Sequence, residues 1–266
     1  MHTRAWHFVC GRTAGIKSAQ HHPKLSQPAF YLKCDLANFF VSINKNILHK
    51  QLAQHITEAW WLALAEIVLF HDPRQNYQMK GRQQDIKRVP EHKRLGNQPA
   101  HRGLPIGNLS SQFFANVYLN DLDQFIKHQI KARYYIRYVD DFVLLHQSPQ
   151  WLNAALARIN EFLPATLEAQ LNPKKTILQP INRGIDFVGQ VIKPWHRTTR
   201  KRTVNSAIYR VANLPKEQLY ESINSYFGLF RQATANHKDR CKLANVARKR
   251  GFCVNSEFTK VFRSAA

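Results

Sequence analysis

The sequence predicts an α+β fold: a split βαβ core followed by a helical C-terminal part. Three observations predict it. Two apolar, β-rich runs, Tyr134-Tyr135-Ile136 and Phe142-Val143-Leu144-Leu145, flank Asp140-Asp141 closely enough to form a hairpin. A third run, from Phe30 to Leu36, meets a carboxylate, Asp35, at its end. Apolar residues recur at helical spacing between these strands (Phe113, Phe114, Val117, Leu122, Phe125, Ile126) and after them (Trp151, Leu152, Ala155, Leu156, Ile159, Phe162).

Residues 1–29 are basic and histidine-rich, and Gly11, Gly15, Pro23 and Pro28 break any long element there. The strand Tyr31–Asp35 follows. Ile43 through Gln54 reads as a helix with Asn44 at its N-cap. Trp60 to Phe70 reads as a second, buried apolar helix, stopped by His71-Asp72-Pro73. Residues 72–102 are polar and carry Lys80, Arg82, Lys87, Arg88, Lys93 and Arg94. They read as a surface loop, either simply solvated or in contact with nucleic acid.

Two Gly and one Pro around Ile106 make residues 103–108 a tight loop with exposed backbone. Leu109 starts the next helix, with Ser110, Ser111 and Gln112 in its first turn. Free N–H groups there suit phosphate or base contacts, or plain capping. Beyond the Asp-Asp hairpin, Trp151–Leu163 reads as an amphipathic helix ended by Pro164. Leu171 to Leu178, with Lys174 and Lys175, is a turn entering a strand. In Gly184–Gly189, Asp186 reads as a surface turn group. Arg197, Arg200, Lys201 and Arg202 read as a basic linker into helices over 205–262.

The 266 residues are 44% hydrophobic, enough for a sizeable core divided over two or three subdomains. Lys and Arg total 39 against 17 acids, a formal charge of +22. Such a charge favours a phosphate backbone as partner, although a non-catalytic RNA binder would share it. Cysteines at 10, 34, 241 and 253 form no Cys-x-x-Cys pair, which points to a reducing compartment. His237, Cys241 and Cys253 fit no standard zinc spacing. The most apolar stretch, Ala59 to Phe70, is too short to span a bilayer and contains Glu66.

The chemistry concentrates at Asp140 and Asp141. A hairpin tip holds both carboxylates close together and near solvent. Like charges so close raise each other's pKa unless a cation sits between them, and oxygen-only ligands suit Mg²⁺. The plainer reading is a polar turn. Asp35 makes a third acid at a strand end, in a chain frugal with acids, which favours a metal site.

Tyr138-Val139-Asp140-Asp141 resembles the catalytic box of reverse transcriptases. Asp35 through Phe40 resembles their first metal-binding motif, and Gly103-Leu104-Pro105-Ile106-Gly107-Asn108-Leu109-Ser110-Ser111-Gln112 their Leu-Pro-x-Gly-x-x-x-Ser motif. Ile after Pro and Gln after Ser look like diversity-generating retroelements and related bacterial enzymes. The resemblance runs from about Phe8 to about Lys249. It implies a right-hand polymerase with a split βαβ palm, partial fingers and a helical thumb. Fingers would be 1–30 and 72–104, palm 31–71 and 105–193, and thumb 194–266. Phe8 through Ala19 resembles the Gly- and Arg-containing end of the fingers. Relatives carry a long basic stretch before that point, whereas Met1 here falls almost at the palm.

The resemblance further implies RNA-directed DNA polymerase activity: dNTPs added to a primer on an RNA template by two-metal nucleotidyl transfer. Asp35, Asp140 and Asp141, with the Leu36 carbonyl, would hold two Mg²⁺ ions. Leu171 to Leu178 resembles the motif whose Lys approaches the incoming nucleotide; Lys175 matches best as a further catalytic group, with Lys174 in the alternative register and a solvated Lys pair as the plainer reading. Leu36, Phe40, Ile106, Gly107, Ser111, Gln112 and Tyr138 would face substrate, with Phe40 as an aromatic gate against a ribose 2′-hydroxyl. Ile106 stands where many relatives carry Gln. Gly184–Gly189 resembles the hairpin that grips the primer end. The implied partners are an RNA template, a DNA or RNA primer, dNTPs and an accessory protein, in the cytoplasm and without a membrane. Two alternatives stand beside this reading: a truncated, inactive palm that only binds RNA, and a group II intron-like or anti-phage defence reverse transcriptase.

Overall fold

The computed structural model describes residues 29–76, 78, 84, 87–234 and 236–263. Phe8–Ala19, all of 1–30 except its last two residues, Lys80 and Arg82 lie outside the described residues. The chain divides into two compact units, 1–179 and 180–266.

The first unit is built on a four-stranded sheet in the order β2-β3-β1-β4, with β1 Phe30–Asp35, β2 Tyr134–Tyr138, β3 Asp141–His146 and β4 Ile177–Pro180. β3 pairs antiparallel with both β1 and β2. The two central strands are the most apolar, because both their faces are covered. Leu32, Cys34, Phe142 and Leu144 are fully buried. Burial pushes the Cys34 thiol up to about 12, so it stays a neutral packing group.

Helices complete this core: α1 Phe39–Ser42, α2 Lys45–Ala53, α3 Ala59–Phe70, α4 Leu109–Tyr118, α5 Asn120–Gln124 and α6 Pro149–Leu167. Asn44 caps α2 as expected, its side chain accepting from the N–H groups of Asn46 and Ile47. The long helix expected from Leu109 to Ile126 breaks at Leu119 into α4, α5 and a π-turn over Phe125–Gln129. α6 packs on the sheet through Leu152, Ala155, Ile159, Leu163 and Leu167.

Pro164 does not end α6. It lies inside the helix, which runs on to Leu167 and closes at Glu168 in the left-handed conformation. The proline removes one N–H, but Asn160, whose carbonyl it would have met, is exposed to water. Burial of Leu163 and Leu167 holds the last turn together.

The expectation of a buried α3 is also corrected. Leu69 is its only buried residue, while Trp60, Trp61, Leu64, Ile67, Val68 and Phe70 are exposed, Ile67 at 69%. A single helix buries one stripe against a neighbour, and here that neighbour is α2. No described element covers the rest.

The second unit holds a three-stranded sheet, β5 Ile185–Phe187, β6 Gln190–Ile192 and β7 Arg197–Thr199, and three helices, α7 Lys201–Asn213, α8 Lys216–Arg231 and α9 His237–Lys249. Val188 and Gly189, both at positive φ, form the two-residue turn that joins β5 to β6. Asp186 is therefore a strand residue rather than a turn group, and it pairs with Arg200. Arg197 is a buried strand residue and not part of a linker, its N–H bonded to Thr234.

The helices share a core of Val204, Val211, Leu219, Ile223, Phe227, Phe230 and Leu243. Helical structure stops at Lys249. Phe252–Val254 and Val261–Arg263 then pair as a β-hairpin, so the helical reading of 205–262 fails at its end. Among the described residues, no helix is long and apolar enough to cross a membrane.

Candidate active site

Antiparallel register places Asp35 directly opposite Asp141, and Tyr138 opposite Asp141 on the other side. Val139 and Asp140 form the two-residue turn between β2 and β3. Val139 sits at φ 56, a left-handed conformation that a β-branched residue adopts only when its surroundings enforce it. The carboxylates of Asp35, Asp140 and Asp141 thus gather at one end of the two central strands. Asp35 is the deepest, 3% exposed.

The electrostatics follow from this crowding. Burial raises the Asp140 carboxyl above the ordinary carboxylate value; Asp35 adds to the rise, and Lys175 and Lys33 oppose it. Burial also raises Asp141, opposed by Lys33 at 3.6 Å and reinforced by Asp35 and Asp140. Two carboxyls therefore carry their charge at a cost that a further cation would relieve.

Lys175 reaches the same place. The segment 170–172 runs beside the end of β1: Ala37 N–H donates to Gln170 O, and Asn172 N–H donates to Asp35 O, both at 2.8 Å. Leu36 bridges Leu171 between them, which fixes the backbone around its carbonyl. Asn172 Nδ2 donates to Asp35 Oδ1 at 3.4 Å, and Lys175 Nζ donates to Asp35 Oδ2 at 2.7 Å. That bond to Asp35 is the main reason the Lys175 pKa rises, so the ammonium stays charged. Sequence reasoning missed Asn172. An Asn before Pro reads as turn chemistry, and its side-chain Oδ1 does accept from Lys174 N–H.

The loop with the tight Gly-Pro turn lies against α1 and α2. Lys45 N–H donates to His101 O, Gly103 N–H to Ile43 O and Leu104 N–H to Phe40 O. Gly103, at φ +87, allows this approach, since a Cβ there would lie 3.3 Å from the Val41 carbonyl oxygen. Phe40 is half-buried, edge-on to Phe39 at 5.4 Å. Ile106 is 79% exposed. Gly107 has open space where a Cβ would stand.

Ser111 is buried in the first turn of α4, whereas Gln112 is exposed. Leu109, Ser110, Gln112, Phe113 and Asn116 line a cavity of about 560 Å³. A second cavity of about 260 Å³ lies between the end of α3 and the loop, reached by Pro105, Asn108, Ser110 and Ser111. Tyr138 is exposed beside the Asp-Asp turn.

Another group that sequence reasoning missed is the support of that turn. Arg137, its side chain 5% exposed, is buried next to it and salt-bridged to Asp123. Periodicity assigns a face to such residues but does not say which polar group lies across from them.

As a metal site the donor chemistry fits. Three carboxylates supply oxygen only, and burial, with the neighbouring carboxylates, holds two of them above the ordinary carboxylate value. The arrangement is not closed around an ion: among the described residues no three His, Cys, Asp or Glu side chains form a metal-holding group, and Lys175 occupies one Asp35 oxygen.

Comparison with known proteins gives three findings. Residues 2–192 match the family described as reverse transcriptase (RNA-dependent DNA polymerase). No curated protein sequence matches the chain. Among solved structures, the chain is similar to telomerase from Candida albicans in complex with a fragment of telomeric RNA, at 13% identity and a TM-score of 0.46, over 89% of this chain and 47% of that one. It is also similar to apo telomerase from Candida tropicalis, at 14% identity and a TM-score of 0.47, over 88% and 43%. The chain therefore spans less than half the length of either.

Proposed function

The chain belongs to the reverse transcriptase family, and from that premise we propose that it is an RNA-directed DNA polymerase, adding dNTPs to a primer on an RNA template. The observation that carries the proposal is the cross-strand pair Asp35–Asp141 with Asp140 at the adjoining two-residue turn.

Asp35, Asp140 and Asp141, with the Leu36 carbonyl, would hold two Mg²⁺ ions. When bound, such ions lower the pKa of a primer 3′-hydroxyl and neutralise the triphosphate and its leaving pyrophosphate. The chain's own residues position the reactants. Lys175 stays protonated and offers its charge to the incoming phosphates once released from Asp35. Phe40 stands on α1, next to the strand that carries Asp35, as the group that meets the sugar. The exposed Ile106–Gly107 backbone and the first turn of α4, with Ser111 and Gln112, offer N–H groups to template or nucleotide. Tyr138 lies beside the turn where the primer end would sit.

The net charge of +22 favours nucleic-acid partners held through their backbones. We assign the partial fingers to 1–30 and 72–104, the palm to 31–71 and 105–193 and the thumb to 194–266. Ile106 and Gln112 favour a diversity-generating retroelement role, which brings in an accessory protein; the cytoplasm is the expected setting.

A second reading has one observation behind it. Lys175 on Asp35 neutralises a carboxylate that the reaction needs, as suits an inactive palm that only holds RNA. Extension of a labelled primer on RNA and DNA templates in Mg²⁺ separates the two readings. The polymerase reading predicts extension by the wild type and none by Asp35→Asn, Asp140→Asn or Asp141→Asn. RNA binding without extension by any protein would leave only the second.

A further inference from the structure

We propose that Arg137 is a positioning residue for nucleotidyl transfer: its guanidinium holds the Val139–Asp140 turn, with Val139 left-handed, by fixing the Val139 carbonyl. The proposal rests on the polymerase reading above.

Four bonds define the arrangement. Arg137 Nε donates to Asp123 Oδ1 at 2.8 Å, and Nη2 to Asp123 Oδ2 at 2.6 Å. Nη1 donates to Val139 O at 2.9 Å and to Asn116 Oδ1 at 3.2 Å. Asp123 is fixed in turn by the Tyr135 hydroxyl, which donates to its Oδ1 at 2.6 Å. One planar cation thus ties α4, through Asn116, and α5, through Asp123, to the backbone of the turn.

Two physical arguments assign it this role. The Arg137–Asp123 pair is partly buried, its side chains 5% and 26% exposed, and it is a modest source of stability because desolvating the guanidinium offsets much of the attraction. The same volume filled by apolar side chains would hold the core as well. What apolar groups lack is direction, and the bond to Val139 O is directional. Val139, meanwhile, sits where a β-branched residue is strained. Without an external hold the turn relaxes to another form, and both carboxylates move with it. Only a guanidinium reaches Asp123 twice and Val139 once with its fixed fork; an ammonium cannot.

The test uses the full chain and the variants Arg137→Gln, Arg137→Lys and Arg137→Gln combined with Val139→Gly. Single-nucleotide addition is measured per folded molecule, and Mn²⁺ affinity is measured separately by electron paramagnetic resonance. Arg137→Gln is expected to lower kcat about 100-fold, the cost of a misplacement of about an ångström, while KM for dNTP moves less than about threefold. Mn²⁺ affinity is expected to fall in parallel, and Arg137→Lys to restore neither. Adding Val139→Gly should recover kcat about tenfold, because glycine keeps a positive φ without strain.

A role in stability alone would lower Tm and leave kcat per folded molecule unchanged, and the glycine would rescue nothing. Folded Arg137→Gln with wild-type kcat and wild-type Mn²⁺ affinity overturns the proposal. Should the wild type extend no primer, the polymerase reading fails, and Mn²⁺ affinity decides alone: a loss in Arg137→Gln sustains the positioning role, and equal affinity overturns it.

Discussion

Replacing Asp140 by Asn should stabilise the metal-free protein at neutral pH while abolishing nucleotide addition. Asp140 occupies the turn after Val139, and its carboxyl is raised first by burial and then by Asp35; Lys175 and Lys33 oppose the rise without cancelling it. The folded pKa thus lies above the unfolded value of about 3.9. Through that window the folded state binds more protons than the unfolded state, so wild-type stability falls as pH rises. Asparagine binds no proton and carries no charge. The stability gap between variant and wild type should therefore open as pH rises from about 4 and stay constant once Asp140 is fully ionised.

Relieving that cost raises Tm, so the variant is expected to melt above the wild type at pH 7. Thermal melts of both proteins between pH 4 and 8, without divalent ions, measure it. Adding Mg²⁺ should then raise the wild-type Tm more than the variant's, because it neutralises the charge that asparagine lacks. An Asp140→Asn protein with intact circular dichroism that melts at or below wild type at pH 7, or a gap independent of pH, would refute the reasoning.

Gly103→Ala should destabilise the first unit by about 2 kcal/mol, because alanine at φ +87 is strained and its Cβ crowds the Val41 carbonyl; the check is a Tm lower by about 4–8 °C. RNA binding should be steeply salt-dependent, since Lys87, Arg88, Lys93, Lys201 and Arg202 are exposed. Five phosphate contacts give a slope of log K against log salt of about −3.5 on single strands, and a flat plot would place the charge outside the interface. Ile106→Gln should leave stability within about 0.5 kcal/mol, because the side chain is exposed. It should also lower misincorporation up to about tenfold if the amide bonds near the new pair, and equal error spectra from one copied RNA template would retire that idea.

How much of this was legible in the sequence depends on the range of the forces involved. The hairpin was readable because two apolar runs at strand periodicity flank a short gap, but its tip was misplaced by one residue: the two-residue loop is Val139–Asp140, and Asp141 is the first residue of β3, paired with Tyr138. The Asn44 cap was readable because capping is settled within three residues. The end of α6 was misread, because Pro164 is a local signal that the burial of Leu163 and Leu167 overrides. α3 was misread because continuous apolarity predicts burial only where a neighbour exists to supply it.

The C-terminal hairpin was missed because runs as short as Phe252–Val254 carry almost no periodic signal. At the site, the carboxylates stood out as acids beside strand ends; the register sets Asp35 opposite Asp141, and Asp140 in the adjoining turn feels the Asp35 charge. The Arg137–Asp123 and Asn172–Asp35 contacts were not legible, since each polar partner lies on a separate element.

The most direct test of the central claim is addition of a single dNTP to a 5′-labelled primer on an RNA template, followed as Mg²⁺ is titrated. Wild type and Asp141→Asn are compared at equal folded concentration. Template-directed addition by the wild type should rise with Mg²⁺ and saturate, and Asp141→Asn should add none. RNA binding by both proteins with no addition at any Mg²⁺ concentration, or equal addition by both, would contradict that claim.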